Sequence, residues 1–313
     1  MKIIFMGTPD FAVGALEAVI AAGHEVTAVV TQPDKPKGRS GQMQFPPVKE
    51  CALKHDIPVL QPVKIRTPES LEELRQYEAD IIVVAAFGQI LSKEILELTR
   101  FGCINIHASL LPKYRGASPI NWCIINGERE TGVTIMQMNE KLDEGDILTK
   151  ITVPIAADET ADSLFQKLSE AGAGLLVSTL LRIERDEIVP VKQNEAESSY
   201  TRMMNKSLGK IDWSRSAVEI ERLVRGLNSW PSAYTYINGK SVKLWSCKVA
   251  DCDAVYAGRA GELIRLTKDA VEVACGKGVL RICELQLEGK KRMDVETFLR
   301  GNRWEEGMRF GNR

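Results

Sequence analysis

The 313-residue chain reads as an α/β protein: a doubly wound, mostly parallel sheet followed by a small β-barrel of the OB type. Three observations predict this. Up to about residue 185, near-continuous Val/Ile/Ala runs alternate with amphipathic stretches, as buried parallel strands alternate with the helices that cover them. From about Ile188 to Leu208 the alternation stops in a polar tract with Pro190, Lys192, Asn194, Glu197, Ser198 and Ser199. Beyond it come short strand-like runs with turns at Asn238-Gly239, Gly258, Gly261, Lys268-Asp269 and Gly276–Gly278, the rhythm of a small Greek-key barrel.

Taken in order, the expected strands of the first part are Lys2–Met6, Glu25–Thr31, Asp80–Ala86, Cys103–His107, Val133–Met138 and Leu148–Val153. Between them the spacing predicts helices over Phe11–Ala22, Pro47–His55, Pro68–Tyr77, Lys93–Leu98 and Pro119–Asn126. A long helix, Asp162–Arg185, follows, with Leu164, Phe165, Leu168, Leu175, Leu176, Leu180 and Ile183 as its apolar residues. After the tract a shorter helix is expected over Ala217–Leu227. This divides the chain into an α/β domain at 1–187, a linker at 188–208 and a barrel domain at 209–313. In a doubly wound sheet, ligands bind beyond the carboxyl ends of the strands, near the switch in strand order.

The 44% hydrophobic and 27% charged content is that of a soluble globular protein. No apolar run approaches the roughly 18 residues of a membrane span, and the opening MKIIFMGTPDF reads as a buried strand rather than a leader. A cytoplasmic protein is expected, with no membrane partner. The seven cysteines form no CxxC pair, and with three histidines they give no zinc-type spacing, so no metal is expected. The net charge of −1 hides an asymmetry. Residues 1–200 carry 20 Lys+Arg against 28 Asp+Glu, and residues 201–313 carry 21 against 14. A basic C-terminal part suggests a polyanionic partner, with a solvated surface as the plain alternative.

The first strand–turn–helix, Gly7-Thr8-Pro9-Asp10-Phe11, lacks the GxGxxG fingerprint, so a dinucleotide oxidoreductase loses its main support. The informative stretch is Asn105–Gly145. Asn105 and His107 alternate on a strand and point the same way. An amide and an imidazole on one face of an otherwise apolar strand are costly to bury unless a ligand or partner satisfies them. Asp143 sits in the turn Leu142-Asp143-Glu144-Gly145-Asp146, from which a carboxylate can reach a neighbouring strand.

Ile104–Pro112 (INIHASLLP), Tyr114–Ala117 (YRGA) and Gly132–Ile147 (GVTIMQMNEKLDEGDI) together resemble the signature regions of the folate-dependent formyltransferases. The resemblance implies a Rossmann-like formyltransferase domain with 10-formyltetrahydrofolate as formyl donor. It implies Asn105, His107 and Asp143 as the catalytic trio. It also implies that Ser109, Leu110, Leu111 and Pro112 line the folate site, with Phe87 and Gly88 near the pterin ring. An amine attacks the formyl carbon. Asn105 would donate to the developing oxyanion, His107 would donate or shuttle protons, and Asp143 would orient His107 and favour its charged form. That chemistry needs neither a metal nor a covalent enzyme intermediate.

Members of this family differ in the acceptor amine. Those acting on a purine precursor would end near residue 200, which leaves the basic C-terminal part unexplained. The stretch Gln32–Pro47 (QPDKPKGRSGQMQFPP) carries Lys35, Lys37 and Arg39 and has enough Gly and Pro to discourage regular structure. It resembles the loop by which the tRNA-formylating members grip an acceptor end, with Arg39 as principal contact. Lys206, Ile211-Asp212-Trp213 and Leu227–Ala233 (LNSWPSA) resemble the same branch, although Ser229 and Ser232 stand where it more often has Pro and Gly. Lys206 and Lys210 would contact tRNA phosphates. The expected acceptor is therefore initiator methionyl-tRNA, bound by a monomer. The rival readings are an amino-sugar nucleotide formyltransferase and a non-catalytic tRNA-binding protein on the same fold.

Overall fold

The computed structural model describes residues 1–37 and 42–311. Two compact units emerge, each considered by itself. The first comprises residues 1–119, 130–154 and 165–201; the second comprises 120–129, 155–164 and 202–313.

The sheet of the first unit contains, in chain order, β1 (Lys2–Gly7), β2 (Glu25–Val30), β3 (Val59–Leu60), β4 (Ile81–Ala85), β5 (Cys103–His107), β6 (Glu130–Gln137) and β7 (Ile147–Pro154). Across the sheet the order is β7-β6-β5-β4-β1-β2-β3. The five strands from β5 to β3 are parallel, whereas β6 is reversed, pairing antiparallel with both β5 and β7. The strand order switches direction at β1, whose neighbours are β2 and β4. All of β4, and β1 from Ile3 onward, is buried, because a parallel strand covered on both faces has no polar side to present. Short β3, at the edge, was not among the expected strands; two residues carry no readable alternation.

The helices begin where chain chemistry favours it. Proline opens Pro47–Lys54, Pro68–Leu74 and Pro119–Asn126, at a position whose N–H would have no helical partner in any case. The Thr67 hydroxyl caps Pro68–Leu74 by accepting from Ser70 N. The long helix runs Ala161–Glu184. On β5, alternation sends Cys103, Asn105 and His107 to one face and Ile104 and Ile106 to the other. The Ile106 side lies against the long helix: a Cβ on Gly172 would sit 3.3 Å from Ile106 Cγ2. On the opposite side Cys103 joins a core cluster with Ile82, Val84, Phe87, Leu91 and Ile95. Along that face β5 therefore passes from an apolar residue to an amide and then an imidazole.

Gly7 has a packing role. A Cβ there would lie 2.8 Å from Ala12 Cβ and 3.0 Å from Ala85 O, so the glycine serves close packing of the first helix on β1 and β4. The loops after β1, β2 and β4 are tied together by Thr8, whose hydroxyl donates to Phe87 O and accepts from Gln32 N.

Two segments differ from expectation. Lys35–Lys37 and Gln42–Gln44 pair as an antiparallel ribbon, so the basic stretch is not free of regular structure. Pro36 is compatible because a two-stranded ribbon has open edges. Arg39 lies outside the described residues. The polar tract also carries fixed structure: Tyr200–Thr201 pairs in parallel with Arg115–Gly116.

The second unit is built on an antiparallel sheet in the order 233–237, 240–251, 279–287, 271–274, 263–266, with Met293–Asp294 pairing against 279–287. Register shifts in Lys240–Asp251 mark bulges, the usual device for bending a strand around a small barrel-like core. The helix Ala217–Gly226 starts with a reciprocal Ser216/Glu219 capping box. Trp213 stacks on Phe310 at 5.3 Å, while Trp304 meets Phe310 and Phe298 edge-on. Among the described residues no helix is long and apolar enough to cross a membrane.

Two measurements test these packing statements. Gly7→Ala forces a backbone or helix shift and should lower unfolding stability by about 1–3 kcal/mol in urea titration, the usual range for overpacking. Burial pushes the thiols of Cys51, Cys103 and Cys275 up to about 12, whereas Cys252 is exposed. Iodoacetamide on the native protein at pH 8 should therefore label Cys252 well before those three, which react on denaturation.

Candidate active site

His107 ends β5 and is 6% exposed. Its Nε2 lies 2.9 Å from Tyr114 O, and a carbonyl can only accept, so Nε2 carries the proton. In the neutral ring Nδ1 is then the basic nitrogen. It faces Asp143 Oδ2 at 3.6 Å, longer than a hydrogen bond but within ion-pair reach. Tyr114 presents its carbonyl from a left-handed backbone, φ +62°.

Asp143 is itself left-handed, φ +53°, in the turn joining β6 to β7. Its Oδ2 accepts from Gly116 N at 2.8 Å. Gly145 keeps the turn tight: a Cβ there would be 1.7 Å from Gln137 O, so no side chain fits. Asn105 stands two residues before His107 on the same face and is half-buried. Among the described residues its side-chain amide has no hydrogen-bond partner, so the amide is available to a ligand.

The Ser109–Pro112 turn is fixed from below. Buried Thr134, on β6, donates its hydroxyl to Ser109 O at 2.7 Å and accepts from Leu111 N at 3.2 Å. The Ser109 hydroxyl donates to Lys113 O at 2.7 Å, so its proton points into the turn. Leu111 is buried, while Leu110 and Pro112 are partly exposed. The Phe87 side chain belongs to the core, and Gly88 next to it is exposed with φ +82°. Beside Gly88 opens a cavity of about 530 Å³, lined by Lys64, Ile65, Arg66, Thr67, Gly88, Gln89 and Ile90.

The remaining candidates are surface cations. Lys35 is exposed on the ribbon, and the neighbouring Asp34 carboxylate is held by Lys49 Nζ at 2.7 Å, which lowers its pKa. Lys206 and Lys210 are exposed and form no ion pair among the described residues. Of Lys37 the structure describes the backbone, which belongs to the ribbon. Residue-by-residue reading missed Thr134, the Tyr114 carbonyl and Gln193. Gln193 Nε2 donates to both Asp143 O and Gly145 O, each at 2.8 Å. Nothing in the local sequence around Gln193 signals that role, because the contact joins residues some fifty positions apart.

The chain belongs to the formyl transferase family, a class of group-transfer enzymes. The family's sequence model, described as formyl transferase, matches residues 1–180, and the model of the formyl transferase C-terminal domain matches 203–303. Among relatives, the methionyl-tRNA formyltransferase of Agathobacter rectalis is 58% identical over 99% of both chains. That of Geobacter sulfurreducens is 50% identical over 99% of this chain and 97% of its own. Among solved structures, the N-formyltransferase of Helicobacter canadensis, in complex with folinic acid and dTDP-3-aminofucose, shares the fold with a TM-score of 0.68. It is 22% identical over 90% of this chain and 98% of that one. HypX of Aquifex aeolicus in complex with tetrahydrofolic acid gives a TM-score of 0.63 at 20% identity, covering all of this chain and 51% of HypX.

The anchoring of the Ser109–Pro112 turn is testable without substrate. Thr134→Val keeps the shape but leaves Ser109 O and Leu111 N unpaired in a buried setting. It should cost about 2–4 kcal/mol of unfolding free energy in urea titration, from about 1–3 for each unsatisfied group, offset partly by relaxation.

Proposed function

We propose that this enzyme transfers the formyl group of 10-formyltetrahydrofolate to the amino group of initiator methionyl-tRNA. The observation that carries the acceptor is the full-length identity of 58% to a methionyl-tRNA formyltransferase, against 20–22% to the sugar N-formyltransferases and HypX, where only the fold is shared. The amino-sugar reading is accordingly not favoured. The folate contributes the formyl group, carried on nitrogen. Its place is supported by the cavity at Gly88, where Lys64 and Arg66 offer cations to an anionic molecule, and by the unpaired Asn105 amide. Leu110, Leu111, Pro112 and the Phe87–Gly88 turn would shape that site, with Ser109 holding the turn.

The roles follow from the geometry. The Asn105 amide donates to the formyl oxygen as negative charge develops there. His107 has its Nε2 proton engaged by Tyr114 O, so Nδ1 is the atom that takes the proton lost by the attacking amine and passes it toward the departing folate nitrogen. Asp143, at 3.6 Å, stabilises the charged ring between those two events. The ribbon residues Lys35 and Lys37 with Arg39, and in the other unit Lys206 and Lys210, supply positive charge for tRNA phosphates.

Transfer of labelled formyl from formyl folate to methionyl-tRNA tests the reading. Turnover should fall about 10²–10³-fold for Asn105→Ala, and Asp143→Ala should lose transfer to any acceptor. Arg39→Ala should fail mainly with tRNA. The acceptor constant should weaken steeply with salt while the folate constant barely moves. A preference for amino-sugar nucleotide over tRNA, or an acceptor constant indifferent to salt, would overturn the assignment.

A further inference from the structure

Resting on the reading of Asp143 just given, we infer that Gln193, oriented by the buried Arg115, is a positioning residue for the catalytic carboxylate. Four observations carry this. The Gln193 amide donates both hydrogens of one nitrogen to the two carbonyls that bracket the turn, Asp143 O and Gly145 O, each at 2.8 Å. Its oxygen accepts from Arg115 Nε at 3.0 Å, which fixes the orientation of the amide, since reversing it would set donor against donor. Arg115 is itself immobilised. It is 0% exposed, forms a two-pronged pair with Glu195 at 2.7 and 3.0 Å, and donates to Tyr200 OH at 2.9 Å. Tyr200 OH in turn donates to Glu144 Oε1 at 2.8 Å, so the network closes on the residue next to Asp143.

The turn needs such a restraint. Asp143 holds φ +53°, a left-handed backbone that a non-glycine residue keeps where its surroundings fix it. Gly145 closes one side of the turn against Gln137, and Gln193 holds the other. Gly116 N, the donor to Asp143 Oδ2, directly follows Arg115, so one short segment holds the carboxylate through Gly116 N and the backbone of the turn through Arg115 and Gln193. Gln193 lies 50 positions from Asp143 in sequence and, among the described residues, hydrogen-bonds to neither the imidazole nor the Asn105 amide. It acts through Asp143.

The test compares Gln193→Met and Gln193→Glu with the unaltered enzyme and with Asp143→Ala, in the formyl-transfer assay. Methionine has the shape but no donor, and glutamate sets an acceptor against two carbonyls. Both should lower kcat about 10–100-fold, glutamate more, the scale on which a misplaced catalytic group slows turnover. The KM for formyl folate and for methionyl-tRNA should stay within about threefold, and the melting temperature within a few degrees. If Asp143→Ala is inactive while both Gln193 variants turn over normally, the positioning role is wrong and the catalytic reading stands. If Asp143→Ala is active, the catalytic reading itself fails. A kcat loss matched by weaker folate binding, or by a melting temperature lowered by about 10 °C or more, would make Gln193 a fold-holding residue and overturn the inference.

Discussion

A guanidinium with no access to water must be neutralised where it stands, and much of the first unit is arranged around that requirement. Arg115 is fully buried, and leaving such a charge unpaired would cost about 3–5 kcal/mol. Glu195, Tyr200 and Gln193, all from the polar tract after the long helix, supply its hydrogen-bond partners, and Glu144 adds a carboxylate at 3.7 Å. Glu195 is held below the ordinary carboxylate range by the same contact. The tract is thereby drawn onto the Tyr114–Gly116 segment, where Arg115 N also donates to Ser199 O. That segment gives His107 its carbonyl partner and Asp143 its backbone donor.

The sheet contributes the other half of the arrangement. Its central strands β4 and, from Ile3 onward, β1 are apolar on both faces, whereas neighbouring β5 turns polar at Asn105 and His107. The antiparallel β6 supplies Thr134 to hold the Ser109–Pro112 turn and leads into the loop that carries Asp143. The loops after β1, β2 and β4 are cross-linked at Thr8, Gln32 and Phe87. The rim at the switch in strand order is therefore cross-linked by hydrogen bonds, with the Gly88 cavity opening beside it.

The second unit shows why counted charge is a poor measure of available charge. Its excess of basic residues is real, but many of its cations are already engaged. Arg225 pairs with Glu221, Arg259 with Glu262, Arg281 with Asp269 and Glu272, and Arg292 with Glu284. Such pairs add little stability but tie up charge, and leave a smaller set of cations, Lys206 and Lys210 among them, without an ion pair among the described residues.

Much of this was legible in the residues alone. Hydrophobic periodicity determined the long strands and every helix named, because burial on two faces or on one stripe is written into consecutive positions. The placement of Asn105 and His107 on one face followed from strand alternation alone. Tertiary structure decided the rest. The two-residue β3 and the basic ribbon carry no period. Which ring nitrogen of His107 holds its proton depends on a carbonyl seven residues away, exposed by a left-handed turn. The hold of Gln193 on Asp143 joins residues 50 apart through a buried arginine, and no local pattern encodes a contact made only once the chain has closed on itself.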